Sequence, residues 1–336
     1  MAALLGESGF CVDVADYRAK KVNSKHKYDL IISHQIDFLQ TLKLAKPGAV
    51  TLFLASGITH HAYNRNIQKR YSDLERRRKC RLSIRQRNTE FTPFAEQADM
   101  IVGFGNGSTL ATWEEQYHKP VIAFNNYGFS ETRFVRRVYD SGNLRSNFLF
   151  FASWHQVGKG LDLLLEIFPK HPTLHLFVCS SFKKESDFCR CFRKELFETV
   201  NIHPVGLLPV LSGKFYDIVE KCAFVISPTA AEGQSGAILQ CMATGLVPVV
   251  SREAGIDTED FGFMLENCTL EEIEKMILQV SQLPAERIAD LSEKTRAVCE
   301  EKYSETAFRN RWREIIAEIQ YNYLHQEQSR IPEEPA

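Results

Sequence analysis

The sequence predicts an α/β protein of two domains, each a parallel β-sheet covered by helices, that face one another across a cleft. Three observations carry this reading. Short apolar runs ending in polar or glycine residues recur along the chain with helical patterns between them, the rhythm of a parallel sheet. That rhythm breaks over residues 127–146 and then restarts. Residues 227–251 (SPTAAEGQSGAILQCMATGLVPVVS) place a strand exit, an acidic glycine-bearing loop, a helix start and a further strand in one unit, which in an open α/β sheet lies at the edge where ligands bind. With 336 residues and 44% hydrophobic content, the chain can bury two cores of ordinary size.

The first element, residues 1–10, reads as the end of a helix closed by Gly9, and residues 11–14 (CVDV) read as a strand. In a doubly wound sheet that strand would be the second, so the N-terminal domain lacks its first and central one. Such a loss exposes apolar edges and costs more than the ~5 to 15 kcal/mol by which a domain is stable. The expectation is therefore that the natural chain extends upstream; an immediate stop codon in the upstream frame would sink it. Residues 28–33 (YDLIIS), 49–55 (AVTLFLA), 100–104 (MIVGF) and 121–124 (VIAF) supply the remaining strands of a first domain spanning residues 1–130. Residues 127–146, with Gly128, Gly142 and several arginines, have no sustained period and read as the connection.

The second domain, residues 131–304, has strands at 148–152, 174–179, 223–226 and 247–250, with helices over 160–168, 185–199, 215–221, 270–283 and 284–302. Within it, the apolar run 223–226 reads as a buried strand that Pro228 terminates. Ile238, Leu239 and Met242 then fall at helical spacing up to Gly245, a good residue just beyond a helix end. The N–H groups at that helix start can hold a pyrophosphate, and glycine there lets the backbone approach closely. Taken alone, the segment is equally an ordinary strand–helix turn with an incidental glutamate. Residues 305–326 place Phe308, Trp312, Ile315, Ile316 and Ile319 on one helical face that needs a partner surface, and residues 329–336 read as a frayed tail.

Composition narrows the function classes. A net charge of −1 provides no global field toward nucleic acid or an acidic surface. The nine cysteines lack metal-ligand spacing apart from the solitary Cys189-Arg-Cys191, and read as reduced, mostly buried thiols of a cytoplasmic protein. There is no charged leader followed by an apolar stretch and no run of ~20 apolar residues, so the protein is expected to be soluble or at most peripheral at the inner face of the membrane. Residues 65–87 carry Arg65, Lys69, Arg70, Arg76, Arg77, Arg78, Lys79, Arg81, Arg85 and Arg87 against Asp73 and Glu75. Such density is most simply a solvated face; the sharper reading is attraction to anionic lipid, at ~1 kcal/mol per basic residue near the surface. A nucleic-acid groove is the weakest reading, because Tyr71 is the only interleaved aromatic.

The ordered segments FLFFASWHQVGKGLDLLLEIF (148–168), LHLFVCS, NIHPVGLL and EGQSGAILQCMATGLVPVVS resemble retaining nucleotide-sugar glycosyltransferases of the family-4 type, glycosyl transferases group 1. The resemblance covers most of residues 148–265 in order; in the N-terminal half only strand rhythm and one histidine region carry it. It implies a GT-B fold, two Rossmann-like domains across a cleft, with the last helix, residues 305–328, crossing back to the N-terminal domain. It also implies transfer of a hexose-like sugar, with retention, from a nucleotide-diphosphate donor to a saccharide or lipid-linked acceptor in glycan or cell-surface polysaccharide synthesis. The donor is a substrate and no cofactor is implied. No Asp-x-Asp cluster is present, so the resemblance implies a metal-independent enzyme that neutralises the diphosphate with Lys159 and helix dipoles.

Carried onto this chain, the family pattern makes Lys159 the ammonium beside the pyrophosphate, where charge grows in the transition state. Glu232 is the first acidic position of a Glu-x7-Glu pattern and lies beside the donor sugar; the second position is Gln240, whose amide oxygen can still accept a ribose hydroxyl but without charge assistance, a loss of about 1 kcal/mol. Gln234, Ser235, Gly236 and Ala237 offer backbone N–H groups, and Gly206 with Leu207 resembles the turn beside the base. His60 or His61 is the family's N-terminal histidine near the transferred sugar, making Glu232, His60 and His61 the catalytic candidates. Apart from the family pattern, Asn106 and Gly107 after MIVGFG, with Ser108 and Thr109 as candidate N-caps of the next helix, are expected on the acceptor side. Many relatives carry an arginine where this chain has Ser153, Trp154 and His155. Singly, most of these residues are plain loop chemistry; their order distinguishes them. Two alternatives stand beside the transferase: a nucleotide-sugar epimerase of the same fold, and a nucleotide-sugar-binding protein with impaired catalysis.

Overall fold

Two all-parallel sheets organise the chain, seen in a computed structural model that describes residues 1–16, 24–34, 38–85, 92–119, 121–128, 130–139 and 144–321. Helix α1 (Ala2–Glu7) precedes strand β1 (Tyr28–Ser33). Then come α2 (Phe38–Leu42), β2 (Ala45–Ala55), α3 (His60–Arg78), α4 (Thr92–Gln97), β3 (Met100–Phe104), α5 (Gly107–Tyr117) and β4 (Val121–Phe124). The first sheet runs β1-β2-β3-β4. Val50, Thr51, Leu52 and Phe53 are buried in succession, so β2 is covered on both faces. The Asn106 side chain caps α5 by accepting the Thr109 amide at 3.1 Å.

Residues 11–14 are not the expected strand. Cys11 and Val12 are exposed and Val14 is 79% exposed, because Leu4 and Leu5 of α1 are the residues that seal this part of the sheet. Among the described residues no strand precedes β1.

The second domain contains β5 (Asn147–Phe151), α6 (Leu161–Ile167), β6 (His175–Cys179), α7 (Ser186–Cys191), α8 (Arg193–Glu198), β7 (Ile202–Pro204), α9 (Gly213–Val219) and β8 (Phe224–Ser227). It continues through α10 (Gly236–Ala243), β9 (Val247–Ser251), β10 (Phe263–Leu265), α11 (Leu270–Ser281) and α12 (Ala285–Lys302). Strand order is β10-β9-β8-β5-β6-β7. The order reverses between β5 and β8, so the loops leaving those two strands diverge and open a crevice at their carboxyl ends. The single helix expected over 185–199 divides at Phe192, whose side chain is buried with Phe188 and Leu196 against the sheet. The edge strands β7 and β10 are three residues each, too short to leave a pattern in sequence.

Helix α13 (Glu305–Ile319) lies on the first sheet. Trp312, Ile315, Ile316 and Ile319 pack with Leu4, Leu5, Val50, Leu52, Met100, Val102 and Phe124, each worth about 1.5–3 kcal/mol when fully buried. Arg309 and Arg313 pair with Glu7 of α1 at 2.9 and 3.2 Å. Residues 322–336, which include the end of the helix expected to reach 326 and the tail, lie outside the described residues, as do Arg87 and Gly142.

The domains meet along α3. Ile58, Ala62, Ile67, Tyr71 and Leu74 belong to the same buried cluster as Phe148, Val157 and Leu161. Arg70 donates to the Pro228 carbonyl at 3.0 Å and Asn66 to that of Ala230 at 3.0 Å. Arg77 pairs with Asp162 at 2.8 Å and Glu166 at 3.2 Å, Arg78 with Glu195 at 2.8 Å, and Arg85 with Glu185 at 2.9 Å. Much of the basic stretch is therefore an interdomain seam rather than a solvated face: its helix presents an apolar row to the second domain, and the adjoining arginines reach that domain's acids. Arg65, Lys69, Arg76, Lys79 and Arg81 remain on the outside.

Candidate active site

Lys159 and Glu232 stand on the two diverging loops, one after β5 and one after β8. The first loop is fixed before it reaches the lysine. Glu185 accepts the amides of His155 at 2.8 Å and Gln156 at 3.2 Å, and the Gln156 side chain accepts Ser180 Oγ at 2.8 Å. His155 takes a left-handed backbone, φ 65°. Gly160, φ 83°, lies against Pro228, where a Cβ would sit 2.7 Å from Pro228 Cγ, so the two loops touch only because this residue has no side chain. The Ala230 amide donates to the Gly158 carbonyl at 2.8 Å and completes the junction.

The second loop is held by the N-terminal domain. The Ile58 amide donates to the Glu232 carbonyl at 3.3 Å, and Thr109 Oγ1 donates to the Gly233 carbonyl at 3.3 Å. That Gly233 carbonyl is wedged between Gly105 of one domain and Gly255 of the other; a Cβ on Gly105 would lie 2.6 Å from it. Between the loops, Lys159 Nζ forms an ion pair with Glu232 Oε2. Burial pulls the Lys159 ammonium down to about 8.

A cavity of about 240 Å³ contains this pair and is walled by both domains, with His34, Ser56 and Trp113 opposite His155, Lys159 and Glu232. Trp113 Nε1 donates to the Gly57 carbonyl at 2.6 Å and fixes the loop after β2. His34 and Ser56 share a hydrogen bond of 2.8 Å. Burial lowers the titration of both His34 and His155, with Glu185 partly opposing it at His155, so both rings are neutral at pH 7. The arrangement offers one cation, one carboxylate and two neutral imidazoles around a space closed on the N-terminal side.

The other predicted residues are placed differently. His60 and His61 adjoin at the start of α3, ring centroids 3.8 Å apart and the rings tilted by 41°, and neither lines the cavity. Gln240 is 4% exposed, accepts Thr132 Oγ1 at 2.6 Å, and lies outside it as well. The Gln234 side chain accepts the Asn126 amide at 2.6 Å and donates to Asn125 at 2.9 Å, while the Ser235 amide donates to the Ala254 carbonyl at 3.1 Å. Gly236 opens α10 beside the Asn126 side chain. Gly206 turns with φ 96° and Leu207 is 53% exposed beside it. Asn106 and Thr109 face the second domain rather than open cleft, contacting Arg252 and Gly233. Sequence reasoning missed His34; its one signal is its position directly after β1.

No protein-family model and no curated protein matches the chain. Solved structures do. Sucrose-phosphate synthase from Thermosynechococcus elongatus superposes with a TM-score of 0.64 at 12% identity, over 88% of this chain and 74% of that one. HepE from Anabaena, in complex with UDP and glucose, gives 0.62 at 12% identity over 87% and 78%. The fold is GT-B. TarM shares it, with a TM-score of 0.60 at 13% identity over 85% of this chain, which spans only 55% of the TarM chain. Another GT-B structure, the glycosyltransferase WaaG, matches at 0.53. At these identities the likeness establishes architecture, two parallel-sheet domains with a cleft between them. Among the described residues no group of three or more His, Cys, Asp or Glu side chains could hold a metal ion, and no helix is long and apolar enough to cross a membrane.

Proposed function

We propose that the protein is a glycosyltransferase that moves a sugar, with retention, from a nucleoside-diphosphate donor to a saccharide or lipid-linked acceptor in glycan or cell-surface polysaccharide synthesis. The observation that supports this best is the meeting of Lys159 and Glu232 at the switch point of the second sheet, beneath N-terminal residues that close the space. Negative charge grows on the diphosphate as the sugar–phosphate bond breaks, and a fixed ammonium there lowers the barrier. In this reading the incoming diphosphate displaces Glu232 from Lys159, and the released carboxylate accepts hydroxyls of the donor sugar. The HepE structure, which contains UDP and glucose, makes UDP the first fragment to test. The protein acts in the cytoplasm, and exposed Arg65, Lys69, Lys79 and Arg81 would draw it to an anionic membrane face carrying a lipid-linked acceptor.

A nucleotide-sugar-binding protein with impaired catalysis is the second reading. It is favoured by Gln240, whose amide is engaged by Thr132 rather than turned to the cavity. Incubating the purified protein with a panel of nucleotide sugars and candidate acceptors separates the possibilities. Release of nucleoside diphosphate with sugar transfer supports the transferase, binding without turnover supports the second reading, and an isomerised donor would instead make it an epimerase. Failure to bind any nucleotide sugar would sink all three.

A further inference from the structure

Cys80 and Cys191 meet across the domain interface. Cys80 follows Lys79, whose left-handed backbone ends α3, and Cys191 closes α7 of the second domain. Their thiols lie within hydrogen-bonding reach of each other, both half-buried and both reduced. Neighbours on each side fix the approach. Arg78 donates Nη2 to the Cys191 carbonyl at 3.0 Å, pairs with Glu195 at 2.8 Å, and lays its guanidinium 4.7 Å from the centroid of Phe192. Cys189, on the same short helix, is engaged elsewhere, its thiol donating to the Phe182 carbonyl at 3.2 Å.

We propose that Cys80 and Cys191 form a reversible oxidation site, a disulfide that staples the two domains together at the end of α3. The oxidant is a low-molecular-weight disulfide such as oxidised glutathione. The Cys80 thiolate attacks one sulfur of that molecule, its S–S bond breaks, and one small thiolate leaves behind a mixed disulfide. Cys191 then loses its proton and attacks Cys80 Sγ, expelling the second small thiolate. Two protein thiols are oxidised, one small disulfide is reduced to two thiols, and the two protons pass to the departing thiolates. Burial and the neighbouring thiol raise the Cys191 thiol above its ordinary value, and attack by Cys191 first would lead to the same bond. Formation of the bond depends on the interface alone. Its consequence, slower exchange of ligand through a cleft that can no longer open, rests on the nucleotide-sugar reading.

The covalent step is tested without any ligand. The folded chain is incubated with oxidised glutathione, digested after glutamate without reductant, and mapped by mass spectrometry. The expected result is a Cys80–Cys191 linked peptide that disappears on reduction, persists in Cys189→Ser and is absent from Cys191→Ser. Only unlinked or singly glutathionylated peptides from the folded wild-type chain, or a Cys80 cross-link that survives in Cys191→Ser, would overturn the assignment. The wild-type map decides this even where a variant fails to fold, and it stands independently of any transferase assay.

Discussion

Arg85 and Glu185 join the domains at the backbone of the loop that leads to Lys159. Arg85 Nε meets Glu185 Oε2 at 2.9 Å, while Oε1 of the same carboxylate accepts the amides of His155 and Gln156. One side chain therefore ties an N-terminal arginine to the shape of a C-terminal loop. Glu185→Ala leaves two amide donors without their acceptor, at about 1–3 kcal/mol for each that stays buried. The expected outcome is a lower urea midpoint and weaker nucleoside diphosphate binding, with Glu185→Gln recovering part of both. Arg85, on the rim, should cost about 1 kcal/mol or less when changed to Ala. Equal losses from the two Ala variants would contradict this division.

The ion pair between Lys159 and Glu232 makes a directional prediction. Because the carboxylate competes with a diphosphate for the ammonium, Glu232→Gln should bind UDP several-fold more tightly while turnover falls at least ~100-fold. Lys159→Ala should lose both. Calorimetry on the two variants reads this directly, and weaker UDP binding by Glu232→Gln would show that the carboxylate assists binding instead.

The Lys159 shift sets a pH window. Its ammonium, pulled down by burial to about 8, is charged below that pH and neutral above it. Affinity for a nucleoside diphosphate should therefore fall as pH rises through about 8, in a range where the diphosphate's own charge is constant. A Lys159→Arg variant should bind with no such break, since arginine stays charged throughout. A wild-type affinity that is level from pH 7 to pH 9 would remove Lys159 from the binding site.

Gly105 permits the closed junction. With φ 123° and the Gly233 carbonyl beside it, Gly105→Ala would place a methyl group in the domain contact as well as strain the backbone, at about 1–3 kcal/mol for the strain. The expected result is a lower melting temperature, reflecting at least that strain, together with a large loss of turnover, measured by thermal melting and a transfer assay. Wild-type turnover in this variant would show that the contact is dispensable.

β1, β3 and β4 were legible to the residue because each is a short apolar run bounded by polar or glycine residues; only β3 is buried along most of its length, the edge strands β1 and β4 being mainly half-buried. Residues 11–14 share that local character but have no surface to cover. The loops carrying Lys159 and Glu232 could be singled out because the order of the segments around them resembles a family pattern; that the two side chains touch is a tertiary fact. His34 was invisible for the opposite reason, being a lone histidine after a strand with no motif around it. The role of α3 was hidden as well, because the partners of Arg77, Arg78 and Arg85 lie in another domain and only distance in space, not in sequence, pairs them.

The packing of α13 on the first sheet inverts the order in which the chain can complete itself during synthesis. Val50, Leu52 and Val102 leave the ribosome long before Trp312, Ile315 and Ile316, the residues that cover them. The second domain, contiguous in sequence, can finish while the first still exposes an apolar face. A nascent chain halted before residue 305 should therefore present a protease-sensitive, chaperone-binding amino-terminal half beside a folded carboxyl-terminal one, and the docking of α13 is the step that completes the first domain.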